Sequence, residues 1–380
     1  MKHASRLSAA AALLWAALML ALTAACGRRT PAAAAGTDTV AFAEASLLHV
    51  ERGRGYTLAE VADPWHAGRT LRRYVLVPRD SAVPPHLPEG TLLRTPLRRV
   101  ASLSGVHAAL LFDLGRGDAL AAVADVDYTL HPLVRKAVAE GRTADAGSSM
   151  KPDAERLAAA RPDAILVSPF ENAGYGALEQ MGVPLVECAD YMETSALGRA
   201  EWMRFYGLLL GCPERADSLY AAVAGRYRAL ARRAEGTGKK PTLLVDRKEG
   251  AVWFVPGGES TMGRLFADAG ARYVFADMPG SGSLQLSFET VFARGRDADV
   301  WLLKYGAAAD PTYASLAADY GPYRRFRPWQ QRRIYGCNTL RVPFYEETPF
   351  HPDRLLADLI CIFHPERMPG HRLRYYQPLK

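Results

Sequence analysis

Cysteine is scarce in this chain, at five in 380 residues. None falls in a C-x-x-C pair or at a Cys/His spacing, which excludes the common structural zinc motifs. Charge of one sign is also thin: 47 Lys and Arg against 40 Asp and Glu leave a formal +7. The densest basic group is Arg324, Arg325, Arg327, Arg332 and Arg333, interrupted by Pro328, Trp329 and two glutamines. It reads as a solvated face, so no nucleic-acid partner is expected. Beyond the first 25 residues no apolar stretch approaches a membrane span. Enzyme signatures are missing as well. Ser102-Leu103-Ser104-Gly105 is not G-x-S-x-G, Gly115-Arg116-Gly117 lacks the third glycine and follows a helical pattern, and there is no Walker A sequence. His107, His131, His351 and His364 are isolated from one another. No catalytic residue, no metal site and no intrinsic cofactor are therefore expected.

What is present begins at the first residues. Lys2 and Arg6 precede an almost wholly apolar run from Leu7 to Ala25, closed by Leu22-Thr23-Ala24-Ala25-Cys26-Gly27. A basic start, a short apolar core and small residues before a cut describe an export signal. A cysteine directly after them is the bacterial lipoprotein arrangement, in which the thiol is acylated and becomes the new N-terminus. Thr23 departs from the usual leucine, and an ordinary cleaved signal or a retained anchor is the plainer alternative. The expectation is a lipoprotein signal over 1–25, lipidation at Cys26 and a flexible tether over 26–45. Losing Lys2 and Arg6 lowers the charge from +7 to +5. The expected place is the periplasmic side of the cell envelope, held to a membrane by lipid. Export permits disulfides, and Cys188, Cys212, Cys337 and Cys361 allow three pairings. The apolar contexts of Cys188 and Cys361 suit isolated buried thiols better.

Residues 46–96 carry three β-like runs, Leu47–Val50, Tyr56–Ala62 and Thr70–Val77, then a link through Pro84, Pro85, Pro88 and Pro96. They read as an N-terminal β extension. From Arg98 apolar strands alternate with helical patterns, which implies parallel sheets covered on both faces. A first lobe is expected over 97–194, a linking helical segment over 195–236 and a second lobe over 237–380. The fold class is α/β: two Rossmann-like lobes with parallel sheets, joined by one long helix.

Ligands of open α/β sheets bind outside the carboxyl ends of the strands. There the first lobe offers His107, Asp127, Tyr128, Phe170 and Tyr191. The second offers Arg247, Trp253, Tyr305, Asn338 and Arg341. Aromatic rings with arginine suit a large, flat or anionic ligand. For His107 a hydrogen-bonded structural role stands beside ligand contact.

The sequence also resembles a known family. Leu97-Arg98-Arg99-Val100-Ala101-Ser102-Leu103-Ser104 is similar to the opening of the iron–siderophore, haem and cobalamin substrate-binding proteins of ABC importers. Further matches are Pro152–Leu157 leading to Arg161–Leu166, Met181–Val186, and Leu286-Ser287-Phe288-Glu289 leading to Asp297–Val300. Asp63-Pro64-Trp65, Arg73–Pro78, Trp253–Gly258 and the ending Asp358–Pro365 resemble the Bacteroidetes lipoprotein branch. The resemblance implies two rigid lobes and a metal-chelate ligand: ferric siderophore, haem or cobalamin. It also implies an ABC permease with its ATPase as partner, docked through Glu155 and Glu289. Alternatives are a chelatase-like enzyme or metallochaperone on the same scaffold, and a lipoprotein that captures cofactor without a permease.

Overall fold

Short, wholly buried apolar strands followed by capped helices build both lobes. The computed structural model describes residues 38–236 and 238–380, of which Val40–Lys380 form one compact unit. Cys26, the signal 1–25 and the larger part of the tether 26–45 lie outside the described residues.

In the first lobe the strands run in the order Leu185–Glu187, Ala164–Val167, Val100–Ser102, Leu120–Val123 and Ala144–Asp145, all parallel. In the second, Arg272–Tyr273, Thr242–Val245, Val300–Tyr305 and Ile334–Asn338 are parallel, and Gln377–Pro378 joins antiparallel. Side chains of Ala164–Val167 and Thr242–Val245 are buried on both faces, as a covered parallel sheet requires. Helix starts are set locally. Ser104, Asp153, Ser195, Ser260 and Ser287 each accept a hydrogen bond from a backbone N–H in the first turn they precede.

The helical segment between the lobes is three helices, Ala196–Glu201, Met203–Leu210 and Pro213–Ala234. Gly211 stops the second in a left-handed turn and Pro213 opens the third, where its missing N–H costs nothing. Only the last, at 22 residues, is long.

The N-terminal extension pairs Leu48–Gly53, Tyr56–Ala62 and Thr70–Pro78 antiparallel, then adds Thr91–Thr95 parallel to the third. That last strand lies within the stretch read from sequence as a proline-rich link. Its partner is non-local, so no hairpin signal announces it. The extension covers an edge of the first-lobe sheet. The hydroxyl of Tyr74 accepts the backbone N–H of Glu187 at 2.7 Å, occupying a donor that an edge strand would leave unpaired. Two buried carboxylates fix the start of the extension. Glu201 accepts the N–H groups of Ala43, Glu44 and Ala45 at 3.0, 2.7 and 2.8 Å. Glu193 accepts those of Ser46 and Leu47, both at 3.0 Å.

Other departures from the sequence reading are local. Pro132–Ala139 is a helix, and Val252–Pro256 sits in a separate antiparallel sheet between Lys248–Glu249 and Ser283–Leu286. Cys188, Cys212, Cys337 and Cys361 are free thiols.

Candidate functional site

In each sheet the chain starts at an interior strand, builds to one side, then crosses to the other. The crossover point lies between Val100–Ser102 and Ala164–Val167 in the first lobe, and between Thr242–Val245 and Val300–Tyr305 in the second. Both crevices open at the carboxyl ends of those strands, where two loops part in opposite directions.

The first-lobe crevice is a cavity of about 740 Å³, with Ser104, Asp125, Tyr128, Met150, Phe170 and Tyr175 among its walls. The second-lobe crevice encloses about 410 Å³, walled by Asp246, Arg247, Phe254, Lys304 and Tyr305 among others. Tyr345 lines both. It stands on the short helix Phe344–Glu347 of the second lobe and bridges the two crevices into one interlobe cleft. Large apolar side chains left in water usually mark a binding surface when they cluster. Tyr128, Met150, Phe170, Phe254 and Tyr345 are all exposed, and all line this cleft.

The lobes differ in character. The first-lobe wall is largely apolar and aromatic, with Lys151 at its margin. The second-lobe wall sets Asp246 and Glu249 against Arg247 and Lys304, so its formal charges balance. Asp125 comes just after strand Leu120–Val123 and Asp246 just after Thr242–Val245, both left-handed with φ of 55° and 57°. Aspartate is one of the few residues that tolerates this conformation. Burial raises the Asp246 carboxyl above its usual range although Lys304 lies 3.8 Å away and opposes the shift. Burial, then the carboxylate of Asp310, pushes the Tyr305 hydroxyl up to about 12.

The floor of the cleft is closed by contacts from the second lobe to the first. Glu346 is 8 % exposed. Its carboxylate accepts the N–H of Leu130 at 2.9 and 3.0 Å and that of His131 at 3.1 Å. Burial raises its pKa, and those same N–H groups oppose the rise. Nearby, His351 Nε2 lies 2.9 Å from Asp113 Oδ2, and Phe350 packs into the first-lobe core beside His107 and Tyr206.

Of the residues singled out from sequence, Tyr128 and Phe170 come together on one wall, and Arg247 and Tyr305 on the other. The rest are placed elsewhere. His107 is a core residue, its Nε2 2.7 Å from the buried carboxylate of Asp190. Burial pushes that carboxyl up, but His107 and Arg199 outweigh it and hold it below its usual range. Trp253 is fully buried, stacked on Trp301 with centroids 5.8 Å apart, and its indole N–H donates to Val245 O at 3.0 Å. Strand alternation turned it inward while its neighbour Phe254 faces the cleft. Asn338 is buried and ties Ala307 and Asp310 together. Arg341 is paired with Asp310 at 3.3 Å, outside the cleft wall. Tyr191 braces Phe170 from behind, with ring centroids 6.3 Å apart. Asp127 is exposed beside Tyr128 but outside the cavity.

Sequence reasoning missed Met150, Phe254 and Tyr345. Tyr345 had a usable signal, an aromatic residue in the loop that follows the carboxyl end of strand Ile334–Asn338.

Glu155 and Glu289 each lie in the first turn of a helix, two residues after Asp153 and Ser287, which cap those helices. Both are exposed, and neither makes an ion pair with a described residue.

Comparison with known proteins now decides the family. Residues 100–318, more than half of the chain, match the periplasmic binding protein family. The chain belongs to that family. A lipoprotein of Methanocaldococcus jannaschii is 24 % identical over 81 % of this chain and 76 % of its own length. A second lipoprotein of that organism is 22 % identical over 91 % and 88 %. Among solved structures, the fold is similar to that of a possible iron-binding periplasmic solute-binding protein from Staphylococcus epidermidis. The TM-score is 0.58 at 19 % identity, covering 71 % of this chain and 100 % of that one. A periplasmic heme-binding protein from Pseudomonas aeruginosa gives 0.55 at 21 %, covering 71 % and 93 %. An Fe3+-hydroxamate transport protein from Saccharomonospora viridis gives 0.56 at 19 %, covering 71 % and 94 %.

Proposed function

We propose that this binding protein is the lipid-anchored substrate-binding component of an ABC importer. It would hold a metal chelate (a ferric siderophore, haem or cobalamin) between its lobes and hand it to a permease driven by an ATPase. The observation that carries this reading is the interlobe cleft, where five exposed large apolar side chains from both lobes converge across two strand crossover points. Such a surface suits a large, partly flat ligand gripped on two sides, with Tyr345 reaching both halves. Relatives named lipoproteins support the anchor, and neighbours named for iron, heme and Fe3+-hydroxamate support the ligand class. Glu155 and Glu289, exposed and without an ion pair among the described residues, suit docking to permease arginines.

Two of the arginines read from sequence as suiting an anionic ligand are already paired. Arg247 is bridged to Asp319 at 3.2 Å and Arg341 to Asp310 at 3.3 Å. The test is absorbance and native mass spectrometry of the protein from its own host, followed by titration of the purified protein. A bound metal-chelate mass is expected. A folded protein that takes up neither haemin, a ferric hydroxamate nor cobalamin would overturn the reading.

A chelatase-like or metallochaperone reading would start from the raised carboxyls of Glu346 and Asp246 at the cleft. Both are already engaged, Glu346 with backbone N–H groups and Asp246 with Lys304. A chelate recovered chemically unchanged after prolonged incubation favours the transport reading.

A further inference from the structure

Beside the main cleft lies a second, smaller cavity of about 250 Å³, between the N-terminal extension and the first lobe. We propose that it binds a cationic, hydrogen-bond-donating group, a primary ammonium or a guanidinium, carried as a side arm by the ligand in the adjacent cleft. The arm rests on the cleft reading above; the cation pocket does not.

At the base of the cavity is Glu187, whose side chain is 3 % exposed. Its Oε1 accepts from Arg72 Nε at 2.8 Å, while Oε2 is buried with no hydrogen bond of good geometry, the carboxylate lying against the Tyr175 hydroxyl and opposing its ionisation. A carboxylate oxygen in that position favours a further hydrogen-bond donor, since leaving it desolvated and unsatisfied is costly. The rest of the wall agrees in sign. Asp63, Glu171, Glu179 and Glu187 stand against Arg69 and Arg72, a formal excess of two negative charges. Asp63 and Glu179 already shape the wall. Asp63 accepts the N–H of Trp65 at 2.9 Å and of His66 at 3.0 Å, and Glu179 accepts that of Tyr175 at 2.8 Å. Glu171 is exposed at the rim.

Two features tie the cavity to the cleft. Phe170, Ala173 and Tyr175 line both, so one loop separates them. The opposite wall, from Asp63 to Arg72, belongs to the extension and lies outside the family match of residues 100–318. The extension thus adds a polar side chamber to the shared two-lobe scaffold, where it would select among chelates by what they carry at the periphery.

Two probes test this separately. n-Butylammonium chloride, titrated into the millimolar range against matched sodium chloride, is expected to give a saturable change in tryptophan fluorescence. Trp65→Phe should remove that change, assigning it to the cavity wall. Glu187→Gln should weaken the response about tenfold or more, the scale of a charge-assisted hydrogen bond. Glu171→Gln, an exposed substitution that leaves folding untouched, should weaken it less. A response that never saturates, or that is unchanged in both variants, overturns the cation pocket.

The second probe is a ferric trihydroxamate with a pendant primary ammonium, compared with its N-acetylated form. The charged form should bind the wild type more tightly, and Glu187→Gln should erase that preference without altering affinity for the acetylated form. Equal binding of the two by the wild type overturns the side-arm assignment. Binding of neither chelate counts against the cleft reading alone, because the butylammonium titration does not depend on it.

Discussion

Glu346 of the second lobe reaches across the floor of the cleft to accept the backbone N–H of Leu130 in the first, at 2.9 and 3.0 Å. With the His131 N–H bonded at 3.1 Å, one carboxylate holds the entry to the helix Pro132–Ala139. The lobes are therefore joined by the chain through Pro213–Ala234, by this contact with its neighbours Phe350 and His351, and by Thr261 Oγ1 donating to Glu193 O at 2.6 Å. Contacts of this kind across the floor oppose a wide hinge opening.

Replacing Glu346 with Ala should cost about 2–4 kcal/mol, from lost charged hydrogen bonds and orphaned N–H groups. Urea unfolding measures the loss, and small-angle scattering should show a more open molecule. The pH dependence is specific. Because burial raises the folded-state pKa of Glu346, the folded protein keeps a proton there that the unfolded chain has released. Stability from this group is full below the ordinary glutamate range and falls as pH rises through the raised value. Glu346→Gln, which keeps an acceptor but cannot ionise, should lack that fall when the two stability–pH curves are subtracted.

Tyr345 and Trp253 should separate binding from folding. Tyr345 is 57 % exposed and touches both crevices, whereas Trp253 is fully buried. Tyr345→Ala is expected to weaken chelate binding by about 1–3 kcal/mol with unfolding unchanged. Trp253→Ala should instead destabilise the fold by about 3–5 kcal/mol. Ligand titration and chemical denaturation of both variants check the contrast.

On the docking reading, reversing both Glu155 and Glu289 to lysine should abolish uptake while leaving ligand affinity unchanged, since the lysines would repel the arginines expected on the permease. A whole-cell uptake assay beside an in vitro titration decides it. Normal transport by the double variant would favour capture without a permease.

Glu201→Ala should release residues 43–45, which lead into the extension. Three backbone N–H groups would lose their acceptor, at a cost of about 2–4 kcal/mol. Limited proteolysis should then cut near residues 41–47 before the lobes unfold.

Cys26→Ser should end fatty-acid labelling and release the protein from membranes. Labelling that persists in the variant would mean that the anchor is elsewhere or absent.

Sequence alone determined the parts that depend on near neighbours along the chain. Continuous apolar runs such as Ala164–Val167 declare strands buried on both faces, because no polar side chain there needs water. Ser104, Asp153 and Ser287 declare helix starts, because a cap is satisfied within three residues. Strand ends were therefore legible, and with them Tyr128, Phe170, Arg247 and Tyr305 near the cleft. Tertiary structure decided what depends on distant partners. Trp253 and Phe254 are adjacent residues of one strand, and only the packing of Trp301, Tyr323 and Phe326 against one face made Trp253 core and left Phe254 for the cleft. His107 gained its role from Asp190, 83 positions away. Tyr345 became the bridge because Glu346 beside it found N–H groups in the other lobe. The side pocket needs the extension folded over the edge strand that ends at Glu187. A partner tens to hundreds of residues away leaves no period or spacing in the local sequence, so those assignments wait for the fold.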